Sequence, residues 1–421
     1  MKVAVVGAGI SGLTVAHSLH RTHDVAVYEA EDWIGGHTHT VDVSEGGADV
    51  AVDTGFIVFN DWTYPEFIRL LSELGVASQP SDMSFSLVDE GADLEYNGTT
   101  LNSLFAQRSN LFSPSFLGML ADILRFNRDG GRFVASGDAS TTMGEFLKDH
   151  RYGSLFVRRF IVPMGRAIWS AEEDALLGFP ALFFLDFFRR HGLLSVTHRP
   201  QWRVVRGGSR EYVRALTAPF AARIRRHCAV RTVLRHATGV TLIDADGRRE
   251  DYDAVVIASH ADQALALLGD ASADESRILG CFGYQPNDVV LHTDARVLPR
   301  RPLAQAAWNY RICADDRPGC TLTYDMNLLQ TLKASRRYLV SLNLTDMIEP
   351  STVLGRWNYA HPVYTPAAVR AQSAHATISG VRNTYYCGAY WRYGFHEDGV
   401  VSGLNVVRQI AERADGPQRA L

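Results

Sequence analysis

Apolar residues open the chain in the unbroken run Val3-Ala4-Val5-Val6, continue at helical spacing through Leu13, Ala16 and Leu19, and run together again at Val25-Ala26-Val27. A short apolar run, a helical period and a second run predict strand, helix and strand, with the glycines between Gly7 and Gly12 at the first junction. From about 61 to 199 the spacing is mainly helical, as in Phe67, Leu70, Leu71 and Leu74, or Leu117, Leu120, Ile123 and Leu124. That block is predicted to be mostly helix. Strand signals return between about 201 and 268, where Val240 to Ile243 lead through the Asp246-Gly247 turn to Ala254 through Ala258. There the chain is expected to re-enter its first sheet. Val289 to Leu291, Thr321 to Tyr324 and Leu339 to Leu344 predict a second sheet. A strand at Thr384 to Cys387, a glycine-rich turn and a helix over about 401–413 close the pattern.

With 421 residues, 46% of them hydrophobic, the chain can bury the cores of two packed domains. Its 42 basic and 46 acidic side chains are interspersed and give a net charge of -4, so there is no broad basic field and nucleic acid is not an expected partner. Cys228, Cys281, Cys313, Cys320 and Cys387 form no CxxC pair and, being five, cannot all pair within one chain. Reduced thiols, a cytoplasmic setting and no metal site are expected. No long apolar segment with a cleavage site precedes the first strand, and no stretch reaches the roughly twenty apolar residues that cross a bilayer. Any membrane contact is expected to be peripheral, at the inner face.

Gly7-Ala8-Gly9-Ile10-Ser11-Gly12 sits between strand and helix, the context that gives a glycine fingerprint meaning. Gly7 allows the tight turn, Gly9 admits a pyrophosphate to the backbone, Gly12 lets helix and strand pack, and the helix start at Ser11 favours negative charge. Glu29, followed by Ala30, ends the next strand, where a carboxylate accepts hydrogen bonds from ribose hydroxyls and disfavours a 2′-phosphate. This element by itself fits either NAD or FAD.

Further along, Ile34-Gly35-Gly36-His37-Thr38, then Val52-Asp53-Thr54-Gly55-Phe56, and finally Tyr386-Cys387-Gly388 with Phe395-His396-Glu397-Asp398-Gly399-Val400 occur in order. Together with the fingerprint they resemble the flavin amine-oxidase superfamily and its phytoene-desaturase relatives. The resemblance implies FAD, with Gly35, Gly36, His37 and Thr38 wrapping the pyrophosphate and Thr54, Gly55 and Phe56 passing the flavin ring. It also places Gly388, Glu397, Asp398, Gly399 and Val400 at the ribityl chain and pyrimidine edge, and Val230 beside the adenine. Arg206-Gly207-Gly208-Ser209 resembles the family's middle glycine turn. Trp33 and His37 stand where the family usually has arginines, which shifts phosphate binding toward backbone N–H groups. The implied fold is α/β: a discontinuous Rossmann-type FAD-binding domain from 1–60, 201–270 and 375–421, with an α+β substrate domain from 61–200 and 271–374.

A bound flavin supplies the hydride acceptor, so few catalytic side chains are needed. The candidates are His361 and Tyr364 in Ala360-His361-Pro362-Val363-Tyr364, and Trp391, Tyr393 and His396 in the aromatic turn after Gly388. A histidine can take a proton near neutral pH, but a turn-capping or cofactor-bonding role is the favoured reading for His396 and a structural one for His361, and Trp391 and Tyr393 can simply wall the flavin. Two aromatic and aliphatic segments with basic flanks, 178–188 before Arg189-Arg190-His191 and 111–126 bracketed by Arg108, Arg125 and Arg128, are either buried helices or membrane-interface elements. The runs GGHTHT, VDTGFIVFN and YGFHEDG also resemble a bacterial subgroup that accompanies cyclopropane-fatty-acid-synthase-like methyltransferases. This implies a fatty-acyl or other apolar substrate, a methyltransferase partner, and desaturation of a methylated or unsaturated acyl chain. Amine oxidation, redox-neutral isomerisation and a non-catalytic flavin-binding role are the alternatives. Amine oxidases of the family often bond a lysine through water to the flavin, and Lys148 and Lys333 lie outside every motif.

Overall fold

A computed structural model describes residues 1–315, 317 and 319–415. The opening pattern forms strand β1 (Lys2–Val6), helix α1 (Ile10–Leu19) and strand β2 (Asp24–Tyr28). Val3 and Val5 pack into one core while Ala4 and Val6 pack into another, so β1 is covered on both faces and reads as a continuous apolar run. A hairpin of β3 (Thr40–Glu45) and β4 (Ala48–Asp53) follows, then helix α2 (Pro65–Glu73).

The block 61–199 is largely helical with two corrections: Ser78–Pro80 is a strand paired with Trp202–Val205, and Phe85–Asp89 and Leu94–Asn97 pair as a hairpin. Helix α3 (Pro114–Ser136) starts where Ser113 accepts the Phe116 N–H and stops at Gly137, whose φ of 72° the left-handed region allows. Helix α4 (Ala181–Arg190) buries Phe183, Phe184, Phe187 and Phe188 almost completely. At about 1.5–3 kcal/mol per buried phenylalanine this helix anchors the helical core, so 178–188 is not an exposed membrane element. Helix α5 (Arg210–Thr217) and strand β5 (Ile224–Arg225) come next, then β6 (Val230–His236), β7 (Ala254–Ile257) and α6 (Ala261–Leu267). The long strands β8 (Gly283–His292) and β9 (Val353–Val363), the short β10 (Thr384–Tyr386) and helix α7 (His396–Asp415) complete the framework. α7 begins at His396, five residues before the expected start.

The first sheet is parallel, in the order β5-β2-β1-β7-β10. α1 and α7 pack on one of its faces. A seven-stranded sheet runs β9, β8, Leu339–Leu342, Leu322–Asp325, Trp308–Ile312, Phe85–Asp89 and Leu94–Asn97. It is antiparallel except between Trp308–Ile312 and Phe85–Asp89. The 85–97 hairpin is therefore the edge of this sheet. No helix among the described residues is long and apolar enough to cross a membrane.

Candidate functional site

In a parallel sheet the carboxyl ends of neighbouring strands open onto one crevice. Gly7 follows β1, Glu29 follows β2, His260 lies three residues past β7 and Gly388 two past β10, so four segments converge there by topology alone. Gly7 has a φ of 104° and donates its N–H to the Tyr28 carbonyl. A Cβ on Gly12 would stand 2.1 Å from the Gly7 carbonyl oxygen, which only glycine avoids. α1 has no side-chain cap and no acidic residue in its first turn, so its free N–H groups and partial positive charge are available to an anion. Glu29 accepts the Ala8 N–H at 2.8 Å and the Glu31 N–H at 3.0 Å, so the carboxylate expected to meet ribose hydroxyls braces the glycine turn. Ala30 beside it is exposed.

The Gly35-Gly36 turn lies against this element: Gly35 donates to the Ala8 carbonyl, and a Cβ on Gly36 would sit 3.1 Å from the Gly9 Cα. The Thr54-Gly55-Phe56 stretch folds back onto residues 37–39. Thr54 donates to the His39 carbonyl and Phe56 to the His37 carbonyl, and a Cβ on Gly55 would meet that His37 oxygen at 2.1 Å. Asp53, fully buried, explains both this position and the 206–209 turn. Its carboxylate accepts from Thr40 Oγ1, Ser209 N and Oγ, and Gln330 Nε2. Burial still pushes its pKa up to about 6. Gly207-Gly208-Ser209 is thus committed to Asp53.

α7 brings its N-terminus beside that of α1. A Cβ on Gly399 would be 2.7 Å from Ile10 Cγ2 and 3.0 Å from Ser11 Oγ, so the glycine sets the spacing. Val400 is buried in the core behind them. Glu397 spends both carboxylate oxygens on the Glu66 and Phe67 N–H groups, capping α2, and leaves only its backbone for a cofactor. Asp398 accepts the Phe395 N–H and is held up at about 6 by burial. Val230 is buried at the start of β6 with Val6 and Tyr28, and Gly388 donates its N–H to Ser402 Oγ.

The five catalytic candidates separate into four environments. His396 is a correction: its Nε2 lies 2.6 Å from Tyr212 Oη and 3.0 Å from Thr38 Oγ1, and its ring stacks on Phe56 at 3.5 Å. Burial holds its pKa well below the ordinary histidine value. It ties α7, α5 and the Gly35–Thr38 turn together, and Nε2 is not presented to a substrate. Trp391 is a second correction, because it packs behind the sheet against Phe282, Tyr390 and His375 and not with the other aromatic candidates. Tyr364 and Tyr393 do meet, through Phe183, with rings 4.8 Å from it on either side. Tyr393 donates to Asp186, whose charge is also paired with Arg189 and Arg190, while the Tyr364 hydroxyl is buried without a partner.

His361 lies elsewhere, in a cluster of imidazoles that the sequence did not reveal. Its ring is 5.4 Å from His37, which is 5.8 Å from His260, which stacks on Tyr284 at 4.3 Å. Burial is the main cause that lowers His37 and His260 to about 4 and His361 to about 3, with mutual repulsion adding to it. All three keep part of their surface accessible. They stand together as neutral rings, and His37 Nε2 is buried without a hydrogen-bond partner. Trp33 stacks on His39 and bonds the Gly36 carbonyl. No arginine therefore comes from positions 33 or 37. The glycine cradle, the uncapped helix start, Glu29 and the unpartnered imidazole together fit FAD.

Residues 10–411 match the family described as flavin containing amine oxidoreductase. A protein of Mycobacterium tuberculosis that carries the name flavin-containing monoamine oxidase is 29% identical over 262 residues, which cover 59% of this chain and 54% of that one. The matched region thus spans about half of that relative's length. Two solved structures have the same fold. Cyclohexylamine oxidase from Brevibacterium oxydans superposes with a TM-score of 0.69 at 18% identity, covering 99% of both chains. A CLA-producing fatty acid isomerase from P. acnes superposes with a TM-score of 0.69 at 15% identity, covering 97% of this chain and 98% of its own.

Proposed function

The chain belongs to the flavin containing amine oxidoreductase family and its cofactor is FAD, and from that premise we propose that it is an oxidoreductase that desaturates an apolar substrate, a methylated or unsaturated fatty acyl chain. The observation that carries this reading is the aromatic cluster of Phe183, Phe187, Tyr364, Tyr393 and Phe395, whose two neighbouring carboxylates are already engaged, Asp186 by Tyr393, Arg189 and Arg190 and Asp398 by the Phe395 N–H and Arg392. An aliphatic chain loses nothing by entering such surroundings, whereas a charged amine leaves its hydration shell without a free carboxylate to meet it. The chain's three lysines support the same choice. Lys148 and Lys333 are exposed, and Lys2 is paired with Glu250.

Ala8 to Gly12, Glu29, the 35–38 turn, residues 54–56 and the start of α7 would hold the FAD, which supplies a two-electron hydride-accepting centre when bound. The protein's own part is positional. The aromatic wall orients the chain and excludes water, so that one C–H bond is presented for hydride loss. Loss of the neighbouring proton completes the double bond. His361, three residues before Tyr364 in the chain, is neutral at physiological pH, but burial makes it a weak proton acceptor, so the proton is assigned to solvent water.

Anaerobic flavin absorbance tests the reading. Phospholipids with methylated or unsaturated acyl chains are expected to bleach the flavin and to lose two hydrogens by mass. Bleaching by primary amines alone would replace the proposal with amine oxidation, and a product of unchanged mass would replace it with isomerisation. The fold shared with a fatty acid isomerase and with cyclohexylamine oxidase leaves the choice to that measurement.

A further inference from the structure

Among the described residues twelve large hydrophobic side chains are exposed, and five of them fall within the short span 101–124: Leu101, Leu111, Phe112, Leu117 and Leu124. Phe112 is 86% exposed, Leu101 76% and Leu124 61%, values that no folded interior explains. On α3 the outward positions Leu117, Ala121, Leu124, Arg128 and Arg132 recur every three or four residues and make one stripe, apolar toward the N-terminus and basic toward the C-terminus. At 1.5 Å per residue Leu117 and Arg128 are roughly 16 Å apart along the helix, the order of distance between acyl and headgroup levels in half a bilayer.

The charges are asymmetric in the same sense. Residues 101–136 carry Arg108, Arg125, Arg128 and Arg132 against Asp122 and Asp129. Asp122 pairs with Arg125 and Asp129 with Arg128. Among the described residues, Arg108 bonds only to the carbonyls of Asn102 and Phe105 and to the Asn102 side chain, and Arg132 has no carboxylate partner. One uncompensated cation therefore stands beside the apolar tip and another about 22 Å farther along α3, in a chain whose net charge is negative.

We propose that the 101–132 face docks on an anionic lipid surface, with Leu111, Phe112 and Leu117 entering the acyl layer and Arg108 and Arg132 meeting lipid phosphates. The opposite side of α3 shows what the docking serves. Gly130 packs on Leu185 of α4, and α4 turns Phe183 and Phe187 toward Tyr364, Tyr393 and Phe395. One helix layer, about 8–10 Å between axes, separates the docking face from the aromatic wall. For this purpose the proposal rests on the acyl-chain reading, which it deepens by naming the membrane as the source of substrate.

Flotation of the flavin-loaded protein with vesicles tests it. Binding is expected to equimolar phosphatidylcholine and phosphatidylglycerol, and to be about tenfold weaker on phosphatidylcholine alone or at high salt. Phe112→Asp with Leu124→Asp should abolish flotation, and Arg108→Glu with Arg132→Glu should remove the preference for anionic lipid. These side chains are exposed, so the flavin spectrum and thermal midpoint are expected to stay unchanged. Equal flotation of the aspartate variant and the parent overturns the proposal. So does concentration-dependent self-association without lipid that the same variant removes, since the patch would then join two copies. A protein whose flavin is bleached by detergent-dispersed acyl lipid but which never floats loses the docking face and keeps the substrate reading. One that floats but is bleached only by amines keeps the face and loses the substrate.

Discussion

Lowering the pH from about 7.5 to about 5 should destabilise the protein through its buried neutral histidines. His37, His191, His260 and His292 are lowered to about 4 from 6.5, chiefly by burial. The unfolded chain takes protons below about 6.5 that the folded chain refuses until about 4, so stability is present above 6.5 and is lost as the pH falls through that window. By pH 5 each fully buried ring has forfeited about 2 kcal/mol, and each of His37 and His260, which keep part of their surface accessible, about half as much because water screens it. Asp53 and Asp398 work in the opposite direction: raised to about 6, they take protons in the folded state first and return about 1.4 kcal/mol each by pH 5. The histidines outnumber them, and the net loss is about 3 kcal/mol, a large part of a typical folding free energy. His292 isolates the effect because it lies in the large sheet, fully buried, with one ring nitrogen on Ser341 Oγ and the other accepting the Asp294 N–H. Protonation must break the second bond. Urea unfolding at saturating FAD across this pH range should show the loss, and His292→Gln should flatten it by about 2 kcal/mol. A parent stability that is level or rising toward pH 5, or an unchanged slope in the variant, would refute the reasoning.

Three further outcomes are expected. Glu29→Ala removes the acceptor of the Ala8 and Glu31 N–H groups and the ribose ligand together, so FAD release followed by fluorescence should show affinity weakened about tenfold or more; unchanged affinity would remove Glu29 from the site. His396→Ala breaks the links to Tyr212 and Thr38 and leaves a cavity against Phe56, costing about 2–4 kcal/mol of stability and weakening FAD retention. The rate of flavin reduction per bound flavin should stay within about twofold, and a large selective loss in rapid mixing would restore His396 as a base. Gly399→Ala places a methyl group 2.7 Å from Ile10 and should push α7 from α1, lowering FAD affinity and costing about 1–3 kcal/mol in urea unfolding of the flavin-free protein; an alanine variant that binds FAD normally would show that the spacing is not critical.

What could be read in the sequence follows from where side chains point. β1, β2 and β7 are covered on both faces and give unbroken apolar runs, so the parallel sheet and its glycine turn are legible in the sequence. The 85–97 hairpin was hidden because its inward positions include Ser86, Asp89, Glu95 and Asn97, all buried. Glu95, for instance, is held inside by Arg300 and Arg301, which their spacing of over two hundred residues conceals. The same limit governs the site. Segments that contact a cofactor through backbone keep their glycines and can be recognised, whereas the imidazole cluster joins residues 37, 260 and 361 through side chains alone. Trp391, Tyr393 and His396 are neighbours in sequence, yet one tight turn sends them to three different cores. The only available hint of His260 was its place just beyond a strand of the first sheet.

The two helix N-termini that meet at Ser11 and Gly399 differ in charge, and the difference bears on how the cofactor lies. α1 begins with no acid and no cap, so its partial positive charge of about one half is uncompensated. α7 begins with Glu397 and Asp398, the first committed to α2 and the second to the turn before it. A pyrophosphate gains at the first terminus and is repelled at the second, while a neutral pyrimidine edge can accept hydrogen bonds at either. The neutral imidazole of His37 adds a polar atom without a full charge, which leaves α1 as the main source of positive potential toward the phosphates. With FAD bound, α1 would hold the phosphates and the start of α7 would meet the neutral pyrimidine edge.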